Sequence, residues 1–466
     1  MPDFRNVTFD EIELGKPVSF TRTLTRTDVD ALALASGDLD PFHLDDAEAK
    51  SPAQPVAQAV GASLLVSGML NRRMPGPGSV VVSEELEYRG TVAVGDRLTA
   101  TITAREKRRE GNFVVFDCVC ENQDGERIVR GTATVRAPTR RIAYSDLATP
   151  EVVIRHGDVF ARLFKRCEGL PAVSCAVVHP CDRDSLAGPL EAAKRGLIAP
   201  VLVGPQAKIR AVAEAHGLDL GSHRIVNAEH SHDAATKAVA MARAGEVESL
   251  MKGSLHTDEL MAAVVPSATG LRTARRVSHV FVIDVPAYPR MLLVTDAAIN
   301  IYPTLEDKAD IVQNAIELAQ VLGIAQPKVA ILSAVETINA KIQSTLDAAA
   351  LCKMAERGQI SGGLLDGPLA FDNAVSEEAA RTKKIVSPVA GKADILLVPD
   401  IEAGNMVAKQ LQYLAGAESA GIVLGTRVPI VLTSRADSVR TRLASTAVMK
   451  LVADARREKP DAPRKG

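Results

Sequence analysis

The sequence has no tryptophan and few aromatic residues of any kind, ten Phe and five Tyr in 466 positions. Its cores must therefore be aliphatic and rich in alanine. It also lacks an excess of charge, with 55 basic residues against 57 acidic. That balance argues against a dedicated nucleic-acid binder, which would show basic excess and interleaved aromatics. No apolar run approaches the roughly 18 residues that a membrane span requires. The opening residues, MPDFRNVTFDE, are polar and lack a signal-peptide core. The expectation is a cytoplasmic protein with neither nucleic acid nor membrane as partner.

Cysteine is sparse as well. Cys118, Cys120, Cys167, Cys175, Cys181 and Cys352 are too few for a disulfide framework, and no CxxC pair exists for zinc. Free buried thiols in a reducing compartment are expected, and no metal site. The phosphate-cradling motif GxxxxGK[ST] and a GxGxxG following a strand are both missing, which removes the strongest grounds for an NTPase or a Rossmann dehydrogenase. Gly362, Gly363 and Gly367 make a glycine-rich turn, but no Lys-Ser/Thr follows it.

What is present is an ordinary globular composition, 46% hydrophobic and 24% charged. At roughly 150 residues per domain the chain is long enough for about three. Two textures meet near residue 140. Before it, Leu98, Ala100, Ile102 and Ala104 alternate with Thr99, Thr101, Thr103 and Arg105, and similar alternation recurs over 113–120 and 128–133. Period two over several segments predicts antiparallel sheet. Asn122-Gln123-Asp124-Gly125 is a hairpin-turn signal. The segment 54–73 is apolar and Ala-rich without alternation, which predicts a helix stopped by Pro75-Gly76-Pro77-Gly78. One helix and a run of long strands imply a sheet wrapped on a helix, an α+β arrangement.

After residue 150, short apolar runs alternate with helical stretches, among them 175–179, 200–204, 280–283, 329–332, 395–398 and 429–432. Such runs suit strands covered on both faces. Thr304 and Asp307 fit a capping box for a helix striped by Ile311, Val312, Ala315, Ile316, Ala319 and Leu322. This βαβ texture predicts an α/β domain with a parallel sheet. The expected division is 1–138, a linker at 139–150, and 151–466.

In the first domain, Asp38 and His43 lie five residues apart on a Gly/Pro-kinked loop, SGDLDPFHLDD. A carboxylate and an imidazole so held can share one water and divide general acid–base work. The string resembles the signature of MaoC-like (R)-specific enoyl-CoA hydratases, and the resemblance runs through PGPG and YRGTVAVGDRL over about residues 5–136. It implies a hot-dog fold, Asp38 and His43 as catalytic residues, and Asp45 as an acidic support for the loop. Where that family has His-Gly-Met, this chain has Gln58-Ala59-Val60. The N–H of Ala59 then stands where the family's Gly donates to the thioester oxygen, with a methyl beside it. The basic run 105–109 reads as a solvated strand end.

In the second domain, Thr433-Ser434-Arg435 follows an apolar strand and precedes a helix. Small hydroxyls, a guanidinium and free helix N–H groups there make a ready anion site. Asp437 or Ser438 would cap the helix, and Arg440 and Arg442 would lie on its surface. Four further polar clusters flank strands, where open α/β sheets bind ligands. They are MKGSLHT, GLRTARR, TDAAIN and PDIEAGN. These strings, with VLTSRADS, resemble the phosphate acetyltransferase/phosphate butyryltransferase family over residues 155–455. The resemblance implies an α/β domain of two subdomains, isopropylmalate-dehydrogenase-like, here about 151–295 with 428–466, and 296–427. It implies reversible acyl transfer between CoA and phosphate. The resemblance places Ser434 and Arg435 in the catalytic positions and implies that Lys252, His256, Arg272, Asp296, Asn300, Asp400 and Asn405 bind substrate. An Asp of the acetyltransferase branch falls on Thr441, so phosphate itself would serve as nucleophile without a protein base.

Both halves thus point to acyl-CoA thioesters, with CoA esters and phosphate as substrates, no tightly bound cofactor, and a homodimer or larger symmetric assembly. The rival readings are an acyl-CoA-binding scaffold whose hot-dog half only oligomerises, and a metal-dependent decarboxylating dehydrogenase. The latter would need more clustered carboxylates than Asp296 and Asp400 provide.

Overall fold

The computed structural model describes residues 4–37, 56–57, 60–144, 159–433 and 437–458. The chain divides into two compact units, Met1–Ile154 and Arg155–Gly466. The first contains β1 (Phe4–Arg5), β2 (Pro17–Thr23), α1 (Arg26–Ser36), β3 (Val56–Ala57), α2 (Val60–Arg72), β4 (Val80–Tyr88), β5 (Val92–Ala93), β6 (Arg97–Arg108), β7 (Phe113–Glu121), β8 (Arg127–Arg136) and β9 (Ala143–Tyr144).

Five of these strands form an antiparallel sheet in the order β2-β6-β7-β8-β4. The alternation along β6 buries Leu98, Ala100 and Ile102, with Phe116, Cys118 and Cys120 of β7 beside them. Helix α2 lays Ala62, Val66, Met69 and Leu70 on that face. Fully burying a large aliphatic side chain stabilises by roughly 1.5–3 kcal/mol, so this one contact layer decides the unit's fold. The 122–125 turn forms as its sequence predicts: Asn122 Oδ1 accepts from the N–H groups of Asp124 and Glu126, both at 3.0 Å, and Gly125 takes φ +78°.

Two expectations need correction. The helix expected over 54–73 begins only at Val60, because Val56–Ala57 pairs antiparallel with Val92–Ala93. A strand partner satisfies backbone groups that a first helical turn leaves open. Residues 142–144, inside the expected linker, belong to the first unit. β9 pairs with β1, and the Ile142 carbonyl accepts from Asn6 N–H at 3.1 Å.

The second unit contains α3 (Val159–Cys167), β10 (Val173–Val178), α4 (Arg183–Lys194), β11 (Ile198–Gly204), α5 (Gln206–Ala215), β12 (Ile225–Asn227), α6 (Ser231–Ala244), β13 (Ser249–Lys252), α7 (Thr257–Val264), β14 (Ser278–Asp284), β15 (Leu292–Thr295), α8 (Leu305–Val321), β16 (Lys328–Leu332), α9 (Gln343–Glu356), β17 (Leu364–Leu369), α10 (Phe371–Val375), α11 (Glu377–Thr382), β18 (Ile395–Leu397), α12 (Ile401–Tyr413), β19 (Glu418–Leu424), β20 (Ile430–Val431) and α13 (Val439–Glu458). Its strands make one sheet of eleven, β12-β11-β10-β13-β20-β19-β14-β15-β18-β16-β17.

That sheet is mixed, not parallel. β14 runs antiparallel to both β15 and β19, and β19 antiparallel to β20. Consequently β10, β13 and β20 present their carboxyl ends at one end of the sheet, whereas β15, β16 and β18 present theirs at the other. β19, from the 296–427 stretch, lies between β14 and β20, so the sheet runs unbroken through both expected subdomains. The capping box of α8 is present, with Thr304 Oγ1 accepting from Asp307 N–H at 3.2 Å. Among the described residues, no helix is long and apolar enough to cross a membrane.

Candidate active sites

In the first unit the expected catalytic loop residues Asp38, His43 and Asp45, and Ala59 with its backbone N–H, lie outside the described residues. Their flanks are described. α1 ends at Ser36, with Gly37 in the left-handed region at φ +71°, and α2 begins at Val60, one residue past Ala59. Between the two helices opens a cavity of ≈ 280 Å³, lined by Leu24, Leu32, Gly61, Leu65 and Leu98. The Arg22–Asp28 ion pair stands at its margin. An apolar pocket beside both ends of the expected catalytic segment has the lining that an acyl chain would need. The basic run behaves as a strand end: Arg105 pairs with Asp117 at 3.0 Å, and Lys107 donates to the Ile12 carbonyl at 3.0 Å.

In the second unit Ser434 and Arg435 also fall outside the described residues, but the residue before them does not. Thr433 sits where β20 ends, next to the end of β13. Lys252, the last residue of β13, donates from Nζ to the Thr433 carbonyl at 3.4 Å. Arg442, in the first turn of α13, donates from Nη1 to Thr433 Oγ1 at 3.0 Å. Both side chains are buried. Two buried cations thus meet on one residue at the carboxyl ends of adjacent parallel strands. His256 stands exposed at the N-terminus of α7, which follows β13.

The expectation that Arg442 lies on the helix surface is overturned. Gly188 of α4 makes room for it, since a Cβ there would sit 2.9 Å from Arg442 Cδ. Ser438 caps α13: its Oγ accepts from Thr441 N–H at 3.1 Å and lies 3.1 Å from Thr441 Oγ1. Thr441 is thereby engaged at the helix start.

The remaining expected residues gather at the other end of the sheet. Asp296 follows β15 and is buried, its carboxylate accepting from the N–H groups of Ala298, Ile299 and Asn300 at 2.9, 3.1 and 3.2 Å. Burial raises its pKa while these donors oppose the rise. Asn300, also buried, donates from Nδ2 to Asp296 Oδ2 at 2.5 Å and to the Val277 carbonyl at 2.9 Å. Asp400 caps α12 through Ala403 N–H at 2.8 Å, and Asn405 Nδ2 donates to the Ala297 carbonyl at 3.4 Å. The close approach is set by Gly404, where a Cβ would lie 2.7 Å from the Asp296 carbonyl oxygen. Both carboxylates are engaged by backbone donors. Arg272 is exposed and bridges Thr426 in the β19–β20 connection, also at this end. The structure therefore does not bring Arg272 to Thr433, because a hairpin separates them: Ile422 pairs with Val431 and Val423 with Ile430.

Sequence reasoning passed over His179, although the end of an apolar strand was the signal for it. It follows β10 with φ +54°, and its Nδ1 lies 3.3 Å from Ser254 Oγ, just past the end of β13. Burial, with Lys208 adding to it, lowers its pKa below the usual imidazole value.

The comparisons with known proteins follow this division. A family model described as "Phosphate acetyl/butaryl transferase" matches residues 229–450, and one described as "MaoC like domain" matches residues 10–117. The chain belongs to the phosphate acetyl/butyryltransferase family and carries a MaoC-like domain ahead of it. It is 67% identical over 287 residues to a phosphate acetyltransferase of Rhizobium meliloti, covering 62% of this chain and 90% of that protein. It is 45% identical over 278 residues to a phosphate butyryltransferase of Clostridium acetobutylicum, covering 60% of this chain and 92% of that protein. Among solved structures, a branched-chain phosphotransacylase from Enterococcus faecalis matches with TM-score 0.53 at 30% identity, covering 60% of this chain and 99% of that one.

Proposed function

We propose that the second unit transfers an acyl group reversibly between CoA and inorganic phosphate, and that the first is an (R)-specific hydratase that adds water to enoyl-CoA esters. The observation that carries the transferase reading is the meeting of Lys252 and Arg442 on Thr433, immediately before Ser434 and Arg435. Phosphate held there attacks the thioester carbonyl. A C–O bond forms, the C–S bond breaks, and CoA leaves as a thiolate that takes its proton from solvent. Ser434 and Arg435 act on the reacting groups, and positioning with charge stabilisation supplies the rate. The opposed halves of the sheet serve as the two subdomains of an isopropylmalate-dehydrogenase-like architecture. A cytoplasmic homo-oligomer completes this reading.

In the first unit, Asp38 and His43 activate water, the N–H of Ala59 holds the thioester oxygen, and the α1–α2 cavity receives the acyl chain. The test is phosphate-dependent thiol release from acetyl-, propionyl- and butyryl-CoA, beside crotonyl-CoA hydration. Arg435→Ala should abolish the first alone, and His43→Ala the second alone. Hydration that persists in His43→Ala, or is absent in the wild type, would leave the hot-dog unit as an acyl-CoA-binding scaffold.

A further inference from the structure

Arg276 lies two residues before β14, and its backbone is gripped by α8. Its N–H donates to Asp310 Oδ2 at 2.8 Å, and its carbonyl accepts from Asn314 Nδ2 at 2.9 Å. The side chain is held along one edge only. Nε donates to Asn300 Oδ1 at 2.7 Å and lies 3.4 Å from Asp307 Oδ1. Asn300 cannot turn away, because its amide also donates to Val277 and to Asp296, and Asp296 is fixed by three backbone N–H groups.

Asp296 and Asn300 are each 3% exposed, so neither presents a surface to a substrate. The Arg276 side chain is 47% exposed, and its terminal nitrogens make no hydrogen bond among the described residues. What this cluster offers outward is the open end of a guanidinium fork whose inner edge is locked. A locked planar fork is the geometry that receives two oxygens of a phosphate. The segment before it is tied to the β19–β20 connection. Thr273 Oγ1 donates to the Gly425 carbonyl at 2.8 Å, Arg272 bridges Thr426, and Arg456 Nη1 donates to the Arg427 carbonyl at 3.2 Å.

We propose that Arg276 is a substrate-binding residue that takes a phosphate group on its outer guanidinium edge, with Asn300 and Asp296 as the positioning residues that aim it. This deepens the acyltransferase reading and rests on it. In that reaction phosphate groups come from two sources, inorganic phosphate and CoA itself.

The experiment compares wild type with Arg276→Ala and Arg276→Lys, at matched melting temperatures, in steady-state thiol release. Acyl-CoA and acyl-dephospho-CoA are the thioesters. Removing a bidentate contact should raise one KM by about tenfold or more with kcat nearly unchanged, and lysine should restore only part of it. A raised KM for inorganic phosphate identifies that source, and would place the reacting phosphate at this end of the sheet instead of at Thr433. A raised KM for acyl-CoA identifies CoA, and lost discrimination against the dephospho ester assigns its ribose phosphate. Asn300→Ala should shift the same KM in the same direction by a smaller factor. KM values within twofold of wild type for all three substrates would overturn the proposal. Calorimetric titration of CoA and of phosphate into the same proteins separates the two readings. A wild type that binds but does not turn over sinks the transferase, and unchanged binding in Arg276→Ala sinks the role of Arg276.

Discussion

Arg442 donates to the Thr433 hydroxyl at 3.0 Å, so a buried guanidinium fixes the residue that precedes Ser434. The contact ties the first turn of α13 to the end of β20, and Lys252 ties the end of β13 to the same residue.

Arg442→Met should therefore cost both stability and transfer. Losing a hydrogen bond to a charged group destabilises by about 1.5–3 kcal/mol. Loosening the Ser434 segment should lower kcat/KM for thiol release by tenfold or more. Thr433→Ser keeps the hydroxyl and should stay near wild type, and Thr433→Val should lose about 1 kcal/mol. Thermal melts beside the thiol assay check both. Wild-type kinetics in Arg442→Met would mean that the contact orders nothing in the site.

His279 makes the fold sensitive to acid. It is fully buried against Phe281, ring centroids 4.4 Å apart, and among the described residues neither ring nitrogen makes a well-formed hydrogen bond. Burial pushes its pKa down to about 3 from an ordinary 6.5, the Leu432 carbonyl opposing only in part. Between those values the unfolded chain binds a proton that the folded one refuses. Stability is then intact above about pH 6.5 and falls as pH drops towards 3, by at most about 1.4 kcal/mol per pH unit. His279→Phe should flatten this limb by one proton in melting temperatures measured from pH 4 to 7. An unchanged slope would show that other groups set the acid limit.

How far the sequence could be read depends on whether a feature is local. The alternation of Leu98, Ala100 and Ile102 and the Thr304–Asp307 cap involve neighbours in sequence, and both appear in the structure. The direction of β14 and β19 does not show locally, because strands covered on both faces have the same apolar texture whichever way they run. The sequence points Arg442 to the surface because charge in a helix usually faces water. Its burial depends on Gly188, some 250 residues earlier in the chain, which clears its path. The sorting of the five polar clusters to two ends of the sheet follows from those strand directions, so it was equally hidden.

The cysteines should be inert in the native protein. Burial pushes Cys118 and Cys175 up to about 12, and Cys120 and Cys167 up to about 11. The thiolate is the reactive form, so these four should resist a thiol reagent at pH 8. Cys181 and Cys352 are partly exposed and should react first, though slowly, since burial also raises both. All six should titrate in guanidinium. Fast labelling of more than two in the native state would contradict the packing of β6, β7 and β10, and would also confound the thiol-release assay.

Gly61 tests what fills the cavity of the first unit. It lies in the first turn of α2, and a Cβ there would sit 3.2 Å from Leu32 Cδ1. Leu32 is a flexible side chain on the cavity wall, so Gly61→Ala can be accommodated by a small shift. Alanine also favours helix over glycine by about 0.8–1 kcal/mol, so the melting temperature should hold or rise. A larger Gly61→Val would project methyls into the ≈ 280 Å³ space that an acyl chain would need. Hydration of crotonyl-CoA should then survive while longer enoyl-CoA esters lose activity by tenfold or more, since a methylene in such a pocket is worth about 1–3 kcal/mol. Equal losses for short and long chains would point to a disturbed catalytic segment. An unchanged profile would mean that the chain lies elsewhere, and the cavity between α1 and α2 would then be only a packing defect.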